Sequence, residues 1–312
     1  MQVQLAGLCL KARPTPAQLA DRLRPVDGVW PDGLELYLAA ADLAEPRLLD
    51  DLVGRIQACD VPDRFAWLIE GPVDSLDGAD FDVTRQSEAD RQVVRPLAEL
   101  ARRIQARAVN IHLIAPGEDL GRLTLTTREA LLRRCLPFMR EFVDLVGQAG
   151  AVPTVENMPP VLRMRRGGFS FTPIGMASQD LLWLVEQVPG LAILPDTSHA
   201  GLYLNARAAR GCAEFAWSEP FFRYVRQLPQ EAADVLGYVK TFEEHIANAQ
   251  VSNAAGLLGE GLAYAEGEID LDPVIRWLAQ RSSFLVAETL EDRVEDAVNM
   301  REALRRMRAA LG

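Results

Sequence analysis

The sequence predicts a single (β/α)₈ TIM barrel that spans residues 1–312 as one domain. Three observations support this prediction: short apolar runs recur along the chain, segments of helical period separate them, and the spacing is regular. The first and eighth runs begin at residues 3 and 284, so the mean interval is about 40 residues, enough for a helical crossover between parallel strands. No linker rich in Pro, Gly or Ser divides the 312 residues.

The eight runs are mostly apolar rather than alternating, which is typical of parallel strands covered on both faces. An open doubly wound sheet is the alternative fold. It is disfavoured because no Gly-x-Gly-x-x-Gly motif follows the first run and no P-loop occurs. The predicted strands are residues 3–11, 33–38, 65–73, 108–114, 152–158, 191–196, 245–253 and 284–290.

The segments between the runs carry helix signals. Asp272 and Pro273 precede an apolar series and predict a helix that Asp272 caps. Thr127 ahead of Glu129 predicts a second helix start. The two longest irregular stretches, 157–177 and 200–217, both follow strands, so we expect them to overhang the rim where such barrels place their active sites.

Composition excludes several classes of protein. With 49% apolar and 25% charged residues the chain can bury a substantial core. The net charge, 33 − 44 = −11, disfavours nucleic acids and anionic membranes as partners. The four cysteines form no Cys-x-x-Cys pair, and we find neither a signal peptide nor a membrane-spanning run. We therefore expect a cytoplasmic enzyme of small molecules, and a homo-oligomer is compatible with the sequence.

Polar residues lie at or near the end of nearly every predicted strand, where a barrel carries its chemistry. A carboxylate inside an apolar strand is costly unless a cation compensates it, and Glu156 and Glu288 have no basic neighbour in sequence. A divalent ion, Mn²⁺ or Mg²⁺, would compensate them, because both ions prefer oxygen ligands. The alternative is that two of the acids pair with Lys11 or an arginine. The candidate ligands, from strands five to eight, are Glu156, Asp196, Gln250 and Glu288.

Five further residues are candidates for substrate contact. His112 and His199 fall at or just beyond strand ends, and they are two of only three histidines. Lys11 and Glu35 are candidates as well, as is Glu70, although for these three a salt bridge inside the barrel is an equally good interpretation.

The order of four short motifs resembles the xylose-isomerase-like barrel superfamily of sugar isomerases and epimerases. The motifs are Val155-Glu156-Asn157, Asp196-Thr197-Ser198-His199, Gly259-Glu260-Gly261 continuing to Gly267-Glu268-Ile269-Asp270, and Ala287-Glu288. The resemblance implies one divalent ion held by Glu156, Asp196, Gln250 and Glu288. Many relatives have His at the seventh-strand position, whereas Gln is similar to hydroxypyruvate-isomerase-like members. Asn248, two residues earlier on the same strand face, is the alternative ligand.

The resemblance also implies the chemistry. Glu156 and Glu288 would ligate the ion and act as base and acid, moving a proton through a metal-stabilised enediolate, while His199 contacts a substrate oxygen. The reaction would be isomerisation or epimerisation of a sugar or related polyhydroxy carbonyl compound. Elimination from a 3-oxo-sugar, inosose or 3-oxo-glycoside is the alternative, as is a subunit that binds sugar without turnover.

Two further features bear on the substrate. The superfamily includes a DNA-repair endonuclease, but three histidines are too few for its zinc cluster and the net charge is wrong for DNA. Arg163, Arg165 and Arg166 form a basic cluster that could hold a substrate anion or form a solvated loop.

Overall fold

The computed structural model describes residues 5–117, 119–163, 169–208, 218–229 and 232–312. Eight parallel strands alternate with helices, and each overlaps one of the eight predicted runs, so the predicted (β/α)₈ barrel is confirmed. The strands are β1 (Gly7–Ala12), β2 (Gly33–Tyr37), β3 (Ala66–Glu70), β4 (Ala108–His112), β5 (Val152–Glu156), β6 (Ala192–Leu194), β7 (Asn248–Val251) and β8 (Phe284–Ala287).

Neighbouring strands pair in chain order, and β8 pairs with β1. Between β6 and β7 the pairing is sparser. The backbone N–H of Ile193 donates to the carbonyl of His245 at 2.8 Å, and that of Gln250 donates to the carbonyl of Pro195 at 3.0 Å. These bonds close the ring and bring the ends of β6 and β7 together.

Helices cover the outside of the ring and enclose the main apolar core between themselves and the strands. They are α1 (Pro16–Arg22), α2 (Pro46–Gln57), α3 (Glu88–Ile104), α4 (Leu125–Gln148), α5 (Ser178–Gln187), α6 (Thr197–Arg207), α7 (Ser218–Gln227), α8 (Val235–Lys240), α9 (Leu271–Leu278) and α10 (Val298–Leu311). None of the helices in the described part of the chain has the length and apolar character needed to cross a bilayer.

Two predicted helix starts are displaced. Helix α4 begins at Leu125, because Thr124 is the cap and accepts a hydrogen bond from the backbone N–H of Thr127. Helix α9 begins at Leu271 behind Asp270, so the predicted cap at Asp272 is wrong, and Asp272 lies in the first turn instead. There its carboxylate accepts a hydrogen bond from the Tyr264 hydroxyl at 2.8 Å, a tertiary contact that local signals do not show.

The barrel interior has two layers, because alternate residues of a strand share a face. The lower layer is a small apolar cluster: Cys9, Ala66, Leu68, Ala108, Phe284 and Val286. Two residues beyond the last cluster member on each of these strands come Lys11, Glu70, Asn110 and Glu288. The upper layer is therefore polar, and it lies at the carboxyl ends of the strands.

Loops at this end form two antiparallel hairpins. Val161–Arg163 pairs with Phe169–Phe171, and Asn253–Ala255 pairs with Gly259–Leu262. The predicted irregular stretch 157–177 thus contains the first hairpin. The predicted irregular stretch 200–217 is wrong over its first part, because α6 continues to Arg207 and packs against the second hairpin.

Candidate active site

A cavity of about 830 Å³ opens at the carboxyl ends of the strands. Its polar lining includes residues from six different strand ends or the turns that follow them: Lys11, Glu70, His112, Glu156, Asp196, His199 and Glu288. Apolar side chains surround them, among them Val73, Ile114, Met158, Leu162, Leu290 and Val294. A polar floor within an apolar wall is the usual form of a small-molecule site.

Glu156 is the most enclosed acid on the β5 side of the cavity. Its carboxylate accepts a hydrogen bond from the Asn110 amide at 2.6 Å. The Nδ1 atom of His199 lies 3.0 Å from one of its oxygens, and the Nε2 atom of His112 lies 3.7 Å from the other. Both oxygens are therefore held by neutral or titratable donors, and no lysine or arginine among the described residues pairs with Glu156.

Asn157 explains why the Glu-Asn pair stands at the end of β5. Its side-chain oxygen accepts from the backbone N–H of Asp196 at 2.7 Å, and its amide donates to the carbonyl of Asp196 at 3.1 Å. This reciprocal pair joins the end of β5 to the end of β6 where Glu156 and Asp196 begin their loops. Asn157 is fully buried, so both bonds lie away from water.

Asp196 has a structural role as the N-cap of α6. Its carboxylate accepts from the backbone N–H of His199 at 2.7 Å. Burial raises the pKa of Asp196 to about 6, while the nearby His199 acts in the opposite direction. The Asp-x-x-His motif is therefore a capped helix start, and His199 lies in the first turn of the helix after Asp196.

His199 is oriented by a backbone carbonyl. Its Nδ1 atom lies 2.7 Å from the oxygen of Asn157, and because a carbonyl can only accept, Nδ1 carries a hydrogen. The Nε2 atom faces Glu260, which reaches over from the second hairpin at 3.4 Å. Burial alone would lower the pKa of His199, but Asp196, Glu156 and Glu260 raise it well above its usual value.

The opposite side of the cavity is organised by an ammonium group. Lys11, at the end of β1, contacts both Glu70 and Glu288. Burial alone would lower the pKa of Lys11, but Glu288, Glu70 and Glu35 raise it well above its usual value, so the side chain stays cationic. The pKa of Glu288 is nevertheless raised, because burial and the neighbouring acids outweigh Lys11.

Glu35 and Glu70 lie close together, and their pKa values are shifted in opposite directions. Burial raises the pKa of Glu35 to about 8, with Glu70 adding to the effect. Burial acts on Glu70 in the same direction, but Lys11 and His112 lower its pKa to about 2. The Gln250 amide donates to Glu35 at 2.7 Å and to Glu70 at 3.2 Å. Glu70 is thus the ionised member and Glu35 the protonated one near pH 7.

The donor set fits a divalent ion in its chemistry. Three groups present ligand atoms within 4.8 Å of one another: Glu156, Asp196 and His199; Glu70, His112 and Glu156; and Glu35, Glu70 and Glu288. Among the four predicted ligands, Oε1 of Gln250 and Oε2 of Glu288 are buried and lack a hydrogen-bond partner within the described part of the chain. Unpaired buried acceptors are costly, and a cation would satisfy both.

The structure does not gather the four predicted ligands into one tight group. Glu156 and Asp196 come together on one side, whereas Glu288 lies with Glu35 and Glu70 on the side of Lys11. That the four hold a single ion stays a prediction. Asn248, the alternative ligand, begins β7 and lines a cavity with Gly150, Ser283 and Phe284 at the other end of the barrel, so it is misplaced for this role.

Of the other candidates of the sequence analysis, Lys11, Glu70, His112 and His199 line the cavity, and Glu35 lies next to Glu70. Sequence reasoning overlooked the roles of Asn110, Asn157 and Glu260. Position in the barrel could have indicated Asn110, because it stands two residues before His112 on the same strand face. Glu260 belongs to the Gly259-Glu260-Gly261 motif, but nothing local predicts that it reaches His199 from a hairpin. The side chain of Arg163, and Arg165 and Arg166 as a whole, lie outside the described residues.

Several solved structures share this fold along nearly the whole chain. A D-tagatose 3-epimerase-like protein matches with a TM-score of 0.65 and 16% identity, covering 98% of each chain. A 3-keto-D-glucoside 4-epimerase from E. coli matches with a TM-score of 0.61 and 10% identity, covering 98% of this chain and all of the other. Endonuclease IV from Thermus thermophilus matches with a TM-score of 0.56 and 17% identity, over 98% of each chain.

Neither a family model nor a curated protein sequence matches the chain. The chain shares its barrel fold with these solved structures, so the resemblance inferred from the four motifs is confirmed at the level of the fold. Of these three neighbours, one is named as a sugar epimerase, one as a sugar-epimerase-like protein and one as an endonuclease.

Proposed function

We propose that the protein is a divalent-metal-dependent isomerase or epimerase of a sugar or related polyhydroxy carbonyl compound. The single observation that carries the proposal is the composition of the cavity floor. Glu156 and Asp196 are buried and Glu288 is half-buried at the ends of β5, β6 and β8, and the acceptor oxygens Oε1 of Gln250 and Oε2 of Glu288 lack hydrogen-bond partners among the described residues. The names of the neighbouring epimerases support the same reaction class.

Glu156, Asp196, Gln250 and Glu288 would hold the ion, which we propose to be Mn²⁺ or Mg²⁺ because three carboxylates and an amide oxygen form a hard donor set. When bound, the ion would polarise a carbonyl oxygen and an adjacent hydroxyl of the substrate and so acidify the C–H bond between them. Side chains of the protein would carry out the remaining steps.

Two carboxylates share the proton transfer in this proposal. Glu156 lies on the β5 side of the cavity and Glu288 on the β8 side, so one can remove a proton and the other can return it. Return to the neighbouring carbon gives isomerisation, and return to the opposite face gives epimerisation.

His199 positions the substrate in this proposal. Its Nδ1 hydrogen faces the Asn157 carbonyl and a Glu156 oxygen, and its Nε2 atom lies beside Glu260. With its raised pKa, His199 carries a second hydrogen on Nε2 and can donate it to a substrate oxygen. His112 and the Lys11 ammonium are the other substrate contacts that we propose, because both line the same cavity.

Hydrogen–deuterium exchange tests the proposal. Metal-free protein and protein with Mn²⁺ are incubated in D₂O with a panel of ketoses, 3-oxo-sugars and inososes, and carbon-bound deuterium is followed by NMR. We expect Mn²⁺-dependent exchange into at least one compound and a product isomeric with it. Released water or an aglycone would establish elimination instead. Binding of a sugar without exchange would establish a non-catalytic subunit and overturn the proposal.

A further inference from the structure

Lys11 occupies an unusual position for a cation in a proposed metal site. Its ammonium group contacts Glu70 and Glu288 from within the barrel, and only 12% of its side chain is exposed. It also lies 5.2 Å from the centre of the Tyr37 ring, which favours a cation at this point. One residue thus neutralises the side of the cavity opposite Glu156.

The other permanent cations of the cavity lining are already committed. The guanidinium group of Arg13 pairs with Asp42 at 2.9 Å. That of Arg22 donates to the backbone carbonyls of Lys11, Val294 and Glu295. Among the described lining residues, Lys11 is therefore the permanent cation that meets the central acids.

Glu288 is shared between two demands. Its Oε1 atom contacts Lys11, and its Oε2 atom is the buried oxygen without a hydrogen-bond partner. A metal ion held by Glu288 would stand next to the ammonium group, and like charges at such separations repel strongly in a partly buried site. Lys11 has a second partner in Glu70, so it still has one ion pair when it leaves Glu288.

We propose that Lys11 is a built-in counterion that competes with the divalent ion for Glu288. In the metal-free protein its ammonium group neutralises Glu288 and Glu70 and keeps the acids of the cavity together. Metal binding displaces the ammonium from Glu288, and Lys11 remains with Glu70. The residue therefore lowers the affinity of the site for the ion. This inference rests on the proposed function.

The test measures Mn²⁺ binding to metal-free protein, by calorimetry and by the electron paramagnetic resonance signal of free Mn²⁺. Lys11→Met keeps an unbranched side chain and removes the charge, and we expect the Kd for Mn²⁺ to fall by about tenfold or more. Arg13→Gln is the matched control, since it removes a cation that lines the same cavity but pairs with Asp42; we expect a change under about threefold.

Thermal denaturation gives a second readout. Without metal, Lys11→Met leaves Glu70 and Glu288 uncompensated, so its Tm falls, and saturating Mn²⁺ raises the Tm by more than it does in the unaltered protein. Recovery of folded Lys11→Met only when Mn²⁺ is present would also support the proposal. If Lys11→Met folds in neither condition, Glu70→Gln is the second test. In that variant Glu288 is the remaining partner of Lys11 of the two acids, so the ammonium holds Glu288 more firmly and Mn²⁺ must bind more weakly. Unchanged Mn²⁺ binding in Glu70→Gln overturns the proposal.

The outcomes separate this inference from the proposed function. If the unaltered protein binds Mn²⁺ and Lys11→Met binds it no more tightly than Arg13→Gln does, the counterion role is wrong and the proposed function stands. If only Lys11→Met binds Mn²⁺, the counterion role is upheld and a resident ion in the unaltered protein is wrong. If neither binds, both proposals fail.

Discussion

The two sides of the barrel mouth hold their acids in different ways. On the β5–β6 side, Glu156 accepts from the Asn110 amide, and Asp196 accepts from the backbone N–H at the start of α6. On the β8–β1 side, Glu288 and Glu70 share one ammonium group. The first side is thus compensated by hydrogen-bond donors and the titratable His199, and the second by a permanent ammonium charge.

This difference teaches where the site is rigid and where it can adjust. Amide and backbone donors on strands are fixed by the ladder that carries them, and such preorganised groups need no rearrangement during reaction. A lysine is a point charge on a flexible four-carbon stem, so it can change partners. We therefore expect substitutions on the two sides to have different consequences for stability and metal binding, in decreasing size as follows.

The largest effect is expected for the paired carboxylates. Glu156→Gln and Glu288→Gln should each reduce deuterium exchange by about 10²–10⁴-fold, since each removes a proton-transferring group without changing side-chain size. Exchange rates in D₂O with Mn²⁺ measure this, and circular dichroism checks that both variants fold. Near-normal turnover in either variant would rule out the two-carboxylate mechanism.

Removing the Asn157 clamp should destabilise the rigid side. Asn157→Ala leaves the backbone N–H of Asp196 buried without an acceptor, so we expect a loss of about 1–3 kcal/mol in the free energy of unfolding, measured in urea. Asn248→Ala is the control, because Asn248 is also buried but its amide nitrogen lacks a partner among the described residues. Equal losses in the two variants would contradict the role of the clamp.

A pH-dependent effect is expected for Glu35 on the adjustable side. Its pKa is raised to about 8 from the usual 4.5, so its contribution to stability is present below pH 4.5 and is lost as the pH rises through about 8. Denaturation of metal-free protein between pH 5 and 9 should therefore show a steeper decline for the unaltered protein than for Glu35→Gln. Parallel curves would show that Glu35 is not protonated in the fold.

The smallest effect is expected for Glu260. Its side chain is 36% exposed and its contact with His199 is long at 3.4 Å, so solvent screens the pair. Glu260→Gln should change the free energy of unfolding by less than about 1 kcal/mol and lower turnover by less than about tenfold. A loss of turnover as large as that of Glu156→Gln would show that Glu260 takes part in proton transfer. The proposed difference between the two sides of the barrel mouth would then be wrong.

Much of the fold could be predicted because the signals for strands are local. Each of the eight runs coincides with a barrel strand, since a strand buried on both faces is apolar along its length. Helix starts were less predictable: Asp272 has the chemistry of a cap, but its carboxylate accepts from Tyr264 while Asp270 precedes the helix. Tertiary hydrogen bonds decided that boundary.

The candidate site was predictable in membership and not in pairing. Strand ends of a barrel converge, so a polar residue at the end of a run is a site candidate whatever its neighbours in sequence are. Which acid meets which cation depends on strand register. Lys11 and Glu288 stand 277 positions apart and meet only because β8 closes the ring against β1.

The linear chain therefore determined the barrel and the polar upper layer, because strand burial and the two-residue repeat of side chains act over a few residues. The closed ring decided that Lys11 joins Glu288 and Glu70, and that Asn157 locks the loop of Glu156 to that of Asp196. Electrostatic and hydrogen-bond partners are set by distance in space, and distances in space follow from how the ring closes.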